Sequence, residues 1–287
     1  MSGIITSVRS AEQGFSPLDK QWQLNETVYS DELGKQMVWL SGLLTYKDAA
    51  RVLKRIGGHF IPASSVWRQT QRHGSRLQNH VQRQREQVSV ERVVLPDARH
   101  DHDQRKAISM DGGMVNIRGE GWRELKVGAV FDVESSLERN PQTQALDEMA
   151  HGTHIHYTAV LGSKEEFTPA LWALAVQQQV PTAKDRAVVA DGALWIWNVA
   201  EDVCPDGRQI VDWFHAVHHL ALAAAALYPD EHESKNRAQW LTTHKDHLYM
   251  GRIHLIIAAL HKRQRDDLAT YFERHQRRMQ YLEFREE

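Results

Sequence analysis

Residues 106–118 read KAISMDGGMVNIR, an apolar run that ends in a single carboxylate, Asp111, followed by Gly112 and Gly113. A strand that ends in aspartate keeps its backbone paired while the carboxylate projects from the sheet edge, within reach of hard cations that prefer oxygen ligands. Beyond it, Leu125, Val127, Ala129, Phe131 and Val133 alternate through residues 121–133, the period of two that marks a half-buried strand. Ile155, Tyr157, Ala159 and Leu161 repeat the pattern. Further on, residues 186–197 read RAVVADGALWIW, a short apolar strand that again ends in Asp-Gly, at Asp191 and Gly192. Taken singly, Asp-Gly is equally a turn dipeptide.

Order along the chain separates these two from ordinary turns. A strand with Asp is followed by two strands, a helix over 167–178 with Leu171, Leu174 and Ala175 inward, and a second strand with Asp. That is the layout of an RNase H-like core, in which carboxylates on the first and fourth strands hold two divalent metals. The expected fold is therefore α/β, an RNase H-like mixed sheet. Its fifth strand is supplied by residues 209–211, and Asp212 at its end is a third or auxiliary metal-ligand candidate beside Asp111 and Asp191. From residue 218 the chain reads as helical, with an alanine-rich apolar run over 220–227 and a second buried helix over 250–260.

The motifs resemble those of bacterial insertion-sequence transposases of the DDE type, in the Kra branch, a Mutator-like group. The resemblance rests on Asp111 and Gly112, on Trp-Arg-Glu-x-Lys at 122–126, and on Asp-Gly-Ala-x-Trp-Ile at 191–196. It continues through QIVDWFHAVHHL at 209–220 and into 271–285. It implies a magnesium- or manganese-dependent enzyme with two cations per site, Asp111 and Asp191 as catalytic ligands, and double-stranded DNA as substrate. Binding of terminal inverted repeats and target, and a homo-oligomer on DNA, come with it. It also implies a third carboxylate, a Glu beyond a Tyr-x-x-Phe-Arg signature. Tyr281, Phe284 and Arg285 match that signature, and neither Glu283, Glu286 nor Glu287 corresponds to the Glu. The expected core is thus incomplete at its C-terminal end, with residues 215–287 as a helical insertion.

Ahead of the core, residues 1–29 lack periodicity and read as an arm. Leu33, Met37, Leu40 and Leu44 recur at helical spacing, as do Ala49, Ala50, Val52, Leu53 and Ile56, a run closed by Gly57 and Gly58. After Pro62, Ser64 or Ser65 is placed to cap a third helix with Val66, Thr70, His73 and Leu77 inward and Ser65, Arg68, Gln69, Arg72 and Arg76 outward. Three helices over 30–85 with a basic third fit a helix-turn-helix, whose last helix reads base edges through Arg and Gln. An ordinary bundle with a solvated charged face fits the pattern too. Residues 78–92, rich in Gln and Arg, are either an element lying along phosphate or a solvated spacer. The linker to the core spans 86–106.

A chain of 287 residues with 41% apolar content can bury a substantial core. A net charge of −2 assigns DNA contact to local basic surfaces rather than to overall charge. The single cysteine, Cys204, excludes an intrachain disulfide framework, and no leader or run of about 18 apolar residues is present, so a cytoplasmic location and no membrane partner are expected. The segment DARHDHD at 97–103 reads as a charged hinge, and His151, His154, His156, His215, His218 and His219 read as solvated or structural. The closing stretch carries Lys262, Arg263, Arg265, Arg274, Arg277 and Arg278, either a DNA-facing surface or a solvated helix. Three functions follow in order: the transposase, a silent DNA-binding relative acting as repressor or inhibitor, and an RNase H-like nuclease without strand transfer.

Overall fold

The computed structural model describes residues 29–58, 60–87, 104–139 and 146–286. The chain divides into two compact units, Met1–Gln84 and Arg85–Glu287.

The first unit holds helices α1 (Asp31–Leu43), α2 (Tyr46–Gly57) and α3 (Ala63–Gln87). Ser30 and Thr45 cap the first two, each side chain accepting the backbone N–H three residues on, and Gly58 ends α2 at φ 70°. A small core joins Met37, Leu40, Ala49, Ala50, Ile61 and Val66. Three details differ from the sequence expectation. The third helix starts at Ala63, because the Pro62 carbonyl accepts from the N–H groups of Ser65 and Val66. Ser65 is consequently inside the first turn and buried. Leu77 and Ile56 are 63% and 83% exposed, since each lies past the end of this small core.

The second unit is a mixed α/β layer structure. Strands β1 (Arg105–Ile117), β2 (Gly121–Arg139), β3 (Leu146–Leu161), β4 (Asp185–Ala190) and β5 (Arg208–Val211) form one sheet in the order β3-β2-β1-β4-β5. The first three run antiparallel through hairpins, and β4 and β5 run parallel to β1. Helix α4 (Lys164–Gln177) joins β3 to β4, and α5 (Leu194–Val203) joins β4 to β5. Crossovers of this kind are what parallel neighbours require. At Gly128 a Cβ would stand 2.7 Å from Leu171 and 3.0 Å from Phe167, so this glycine lets α4 press directly onto β2. Ile108, Met110, Val130, Val188, Ala190 and Val211 on that face are buried against Phe167, Leu171 and Ile196.

The opposite face is different. Leu125, Val127, Ala129, Val189 and Ile210 are half-buried, and Ile155 and Tyr157 are 46% and 67% exposed. One side of the sheet is thus closed by helices and the other is open.

Beyond β5 come α6 (Trp213–Leu227), α7 (Ser234–Tyr249), α8 (Ile253–Lys262), α9 (Asp266–His275) and α10 (Tyr281–Glu286). Helix α6 begins at Trp213 rather than at 218, because Asp212 caps it by accepting from the His215 N–H. The helix expected over 250–260 is divided from its predecessor at Gly251, which turns the chain at φ 68°. Leu220, Leu248, Ile256, Leu260, Phe272 and Met279 extend the sheet's core through these helices. The arm at 1–28 and the hinge at 97–103 lie outside the described residues. Among the described residues no helix is long and apolar enough to cross a membrane.

Candidate functional site

Strand register brings the three acidic candidates together. Met110 pairs with Ala190 across β1 and β4, and Ala190 pairs with Val211 across β4 and β5. The next residue is an aspartate each time: Asp191 and Asp212 directly follow β4 and β5, whereas Asp111 lies within β1 rather than at its end as expected, because β1 goes on pairing with β2 as far as Ile117. The Asp212 N–H continues the ladder, donating to the Ala190 carbonyl at 2.8 Å. Neighbouring strands lie about 4.8 Å apart and successive side chains alternate between faces. Because Met110, Ala190 and Val211 all face the closed core, the aspartates after them belong to the open face. Asp111 is exposed; Asp191 and Asp212 are half-buried.

Each carboxylate is held by one oxygen. Asp111 Oδ1 accepts from the Gly112 N–H at 2.6 Å, Asp191 Oδ1 from the Ala193 N–H at 2.8 Å and Asp212 Oδ1 from the His215 N–H at 3.0 Å. These local bonds are the turn and capping habits of aspartate, and they fix the side chains while leaving the second oxygen for another partner. Among the described residues no Lys or Arg forms a salt bridge with any of the three; the imidazole of His215 lies 3.5 Å from Asp212. No group of three or more His, Cys, Asp or Glu among the described residues is already drawn close enough to enclose a metal ion. Glu283 is exposed on α10.

Beneath Asp191 is a set of rings that composition and spacing do not announce. Gly192 has φ 103°, and a Cβ there would stand 3.2 Å from the Tyr271 ring and 3.3 Å from His275 Nε2. Tyr271 stacks on His219 with centroids 3.6 Å apart, and its hydroxyl donates to the Asp191 carbonyl at 3.1 Å. Tyr281 does the same one strand over, donating to the Val211 carbonyl at 2.8 Å. Two tyrosines from the last helices therefore hold the backbone at the ends of β4 and β5.

The electrostatics keep this floor uncharged at neutral pH. Burial pushes both phenols upward, with Asp191 and Asp212 adding to the effect at Tyr271 and with Tyr271 and Asp212 adding to it at Tyr281. Burial pulls His275 down to about 4, helped by the charges of Arg278 and Arg274. His219 is lowered by burial and then by His218 and His215. Protonated phenols and neutral imidazoles in this floor supply no positive charge to the neighbouring carboxylates.

On the closed face, Asp111's neighbour Gly112 is where the two tryptophan-bearing motifs meet. Lys126, cross-strand from Gly112, is 3% exposed and paired with Glu124, and its ammonium lies 4.9 Å over the Trp195 ring. A Cβ on Gly112 would stand 3.2 Å from Trp195. The Glu and Lys of the 122–126 motif thus brace the start of α5 against β1, behind the aspartates. Trp122 itself is 65% exposed.

The residues expected to read DNA all lie on α3 but do not share one surface. Arg68 and Arg76 are exposed, Arg72 is half-buried, and Arg68 donates to Ser65 Oγ at 3.0 Å. Gln69 turns toward α1, where its Oε1 would be 3.6 Å from a Cβ on Gly34, and His73 shares that contact at 3.3 Å. Ser65 is buried rather than outward. The outward face instead carries Ser64, Trp67, Gln71 and Ser75 beside the two exposed arginines. Among the histidines, His151 and His154 lie 3.0 Å from Glu138 and 3.2 Å from Asp132, as partners of single carboxylates.

In comparison with known proteins, no protein-family model matches the chain and no curated protein is significantly similar to it.

Proposed function

We propose that the chain is a metal-dependent DNA-processing enzyme, a transposase of the DDE type with an RNase H-like core, that cleaves the ends of a mobile element and joins them to target DNA. One observation carries the reading: the parallel register of β1 and β4 puts Asp111, within β1, beside Asp191, directly after β4, in a β3-β2-β1-β4-β5 sheet. Their adjacency supports the reading of the motifs.

The residues present fit hard divalent cations. The donors are oxygens from carboxylates on one face, each with one oxygen outside the local hydrogen bonds, and among the described residues no Lys or Arg forms a salt bridge with them. Asp111 and Asp191 would hold the cations, with Asp212 as an auxiliary ligand that also caps α6. When bound, Mg2+ or Mn2+ supplies Lewis acidity to the attacking and leaving oxygens of a phosphodiester displacement. The chain's own part is placement. Tyr271 and Tyr281 fix the strand ends, Gly192 admits the turn, and the open sheet face leaves the carboxylates accessible to a polymer. Binding through α3 uses the exposed Arg68 and Arg76, with Arg72 beside them, and a homo-oligomer on DNA belongs to the same reading.

A second reading is favoured by one observation. The exposed Arg68 and Arg76 of α3 need no catalytic centre to bind DNA, which suits a DNA-bound repressor or inhibitor. A cleavage and strand-joining assay with Mg2+ or Mn2+, on DNA carrying the flanks of the coding sequence, separates the two. Cleavage that is lost in Asp191→Asn while binding survives supports the enzyme. Binding without cleavage in the unaltered chain supports the repressor. Cleavage without joining indicates an RNase H-like nuclease instead.

A further inference from the structure

A cleft of about 550 Å³ opens beside β5, lined by Arg208, Gln209, Arg274, Arg277, Arg278 and Phe284, with Glu273 and Gln276 at its side. We propose that this cleft binds the phosphodiester backbone of duplex DNA; the choice of DNA rests on the function proposed above, whereas the affinity for phosphate rests on the cleft alone.

The charge is lopsided in a chain whose net charge is −2. Four guanidinium groups line the cleft and one carboxylate does. That carboxylate, Glu273, is already engaged, its Oε1 2.8 Å from His261 Nε2. Among the described residues no carboxylate forms a salt bridge with Arg274, Arg277 or Arg278. Arg278 is also fixed in place. Its Nε donates to Gln209 Oε1 at 2.7 Å, and its guanidinium lies 4.5 Å over the Trp197 ring. A half-buried cation held by a neutral amide and an aromatic face has its orientation set, and Glu201 acts on it only through space, without an ion pair among the described residues. An anion with several acceptor oxygens supplies that pair, and phosphate matches the forked donors of arginine.

The cleft also lies along the edge strand that leads to Asp212. Arg208 opens β5 and Asp212 follows its end, four residues on, a separation of about 13 Å, or roughly four base-pair steps of duplex. Arg278 Nη1 lies 3.4 Å from His275 Nδ1, and His275 packs on Gly192. One layer of side chains separates the cleft from the Asp191 turn.

The test compares two pairs of charge-removing substitutions in the full chain, Arg274→Gln with Arg277→Gln, and Lys235→Gln with Lys245→Gln, both exposed lysines on α7. Fluorescence anisotropy with a labelled 30-base-pair duplex is followed over a salt series. Losing two phosphate contacts lowers the slope of log affinity against log salt by about 2 and weakens binding roughly tenfold at moderate salt. The arginine pair is expected to show that change, and the lysine pair less than a twofold effect. Equal effects from both pairs, no effect from the arginine pair, or no duplex binding by the unaltered chain overturns the proposal. The same samples are assayed for Mg2+-dependent cleavage. Arginine-dependent binding without cleavage upholds the cleft and removes the enzymatic reading, so the two fail separately.

Discussion

Replacing Gly192 by alanine tests whether the Asp191 turn is held as described. Two costs add. At φ 103° an L-residue is strained by about 1–2 kcal/mol. The new methyl would also meet the Tyr271 ring at 3.2 Å and His275 Nε2 at 3.3 Å. His275 is 1% exposed, and Tyr271 is stacked on His219 and bonded to the Asp191 carbonyl, so neither yields freely. Crowding of this kind costs roughly 1–3 kcal/mol. The sum is on the order of 3 kcal/mol, a fall in Tm of roughly 6–12 °C for a unit of this size. Gly113→Ala is the matched control, with no atom of the described residues within 4 Å of its Cβ and no left-handed backbone. Urea unfolding followed by tryptophan fluorescence gives both values. A loss below about 0.5 kcal/mol for Gly192→Ala, or equal losses at both glycines, would refute the packing of Tyr271 and His275 on this turn.

Four more outcomes follow from the same structure. Tyr271→Phe keeps the stack on His219 but leaves the Asp191 carbonyl without its donor, and is expected to cost about 1–2 kcal/mol in the same unfolding assay; no loss contradicts the bond. Glu124→Gln should destabilise by about 1 kcal/mol more than Lys126→Met, because it strands a buried ammonium whereas methionine fills the same space without charge; Glu124's exposure keeps the figure small. Stability should also fall on acidification. His275 is held neutral in the fold, its pKa lowered from 6.5 to about 4, so the unfolded chain takes up this proton first and stability is lost between those values, most of it recovered in His275→Gln. His261 runs the other way. Raised by Asp266 and Glu273, it contributes below the usual histidine pKa, and that contribution fades as pH rises above it, which His261→Gln removes.

Much of the sheet was legible because strand periodicity is local. The alternation through Leu125 to Val133, and the apolar runs ending in Asp111 and Asp191, are signals carried within a few residues, and each lies in a strand. Two Asp-Gly pairs become neighbours only through a parallel pairing between β1 and β4 across some 80 residues of chain, and register was the step that order alone had to supply. The supports of the site were not legible. Tyr271, Tyr281 and His275 come from helices far along the chain and act through backbone carbonyls, which leave no pattern in composition or spacing. The Tyr-x-x-Phe-Arg match at 281–285 did point at Tyr281, though as a family mark rather than as a donor to Val211. Helix faces in the first unit were misread where the core is small. Gln69 and Ser65 carry polar side chains, yet α1 approaches closely at Gly34 and Pro62 starts the helix early, so both turn inward.

Under the proposed function, Asp111 and Asp191 together hold divalent cations. Mn2+ titrated into the full chain and followed by the paramagnetic resonance of the free ion measures this without any DNA. Saturable binding that is lost in Asp111→Asn and equally in Asp191→Asn, with folding unchanged by circular dichroism, is the predicted result. Binding that survives both substitutions would contradict it, as would an unaltered chain that takes up no Mn2+.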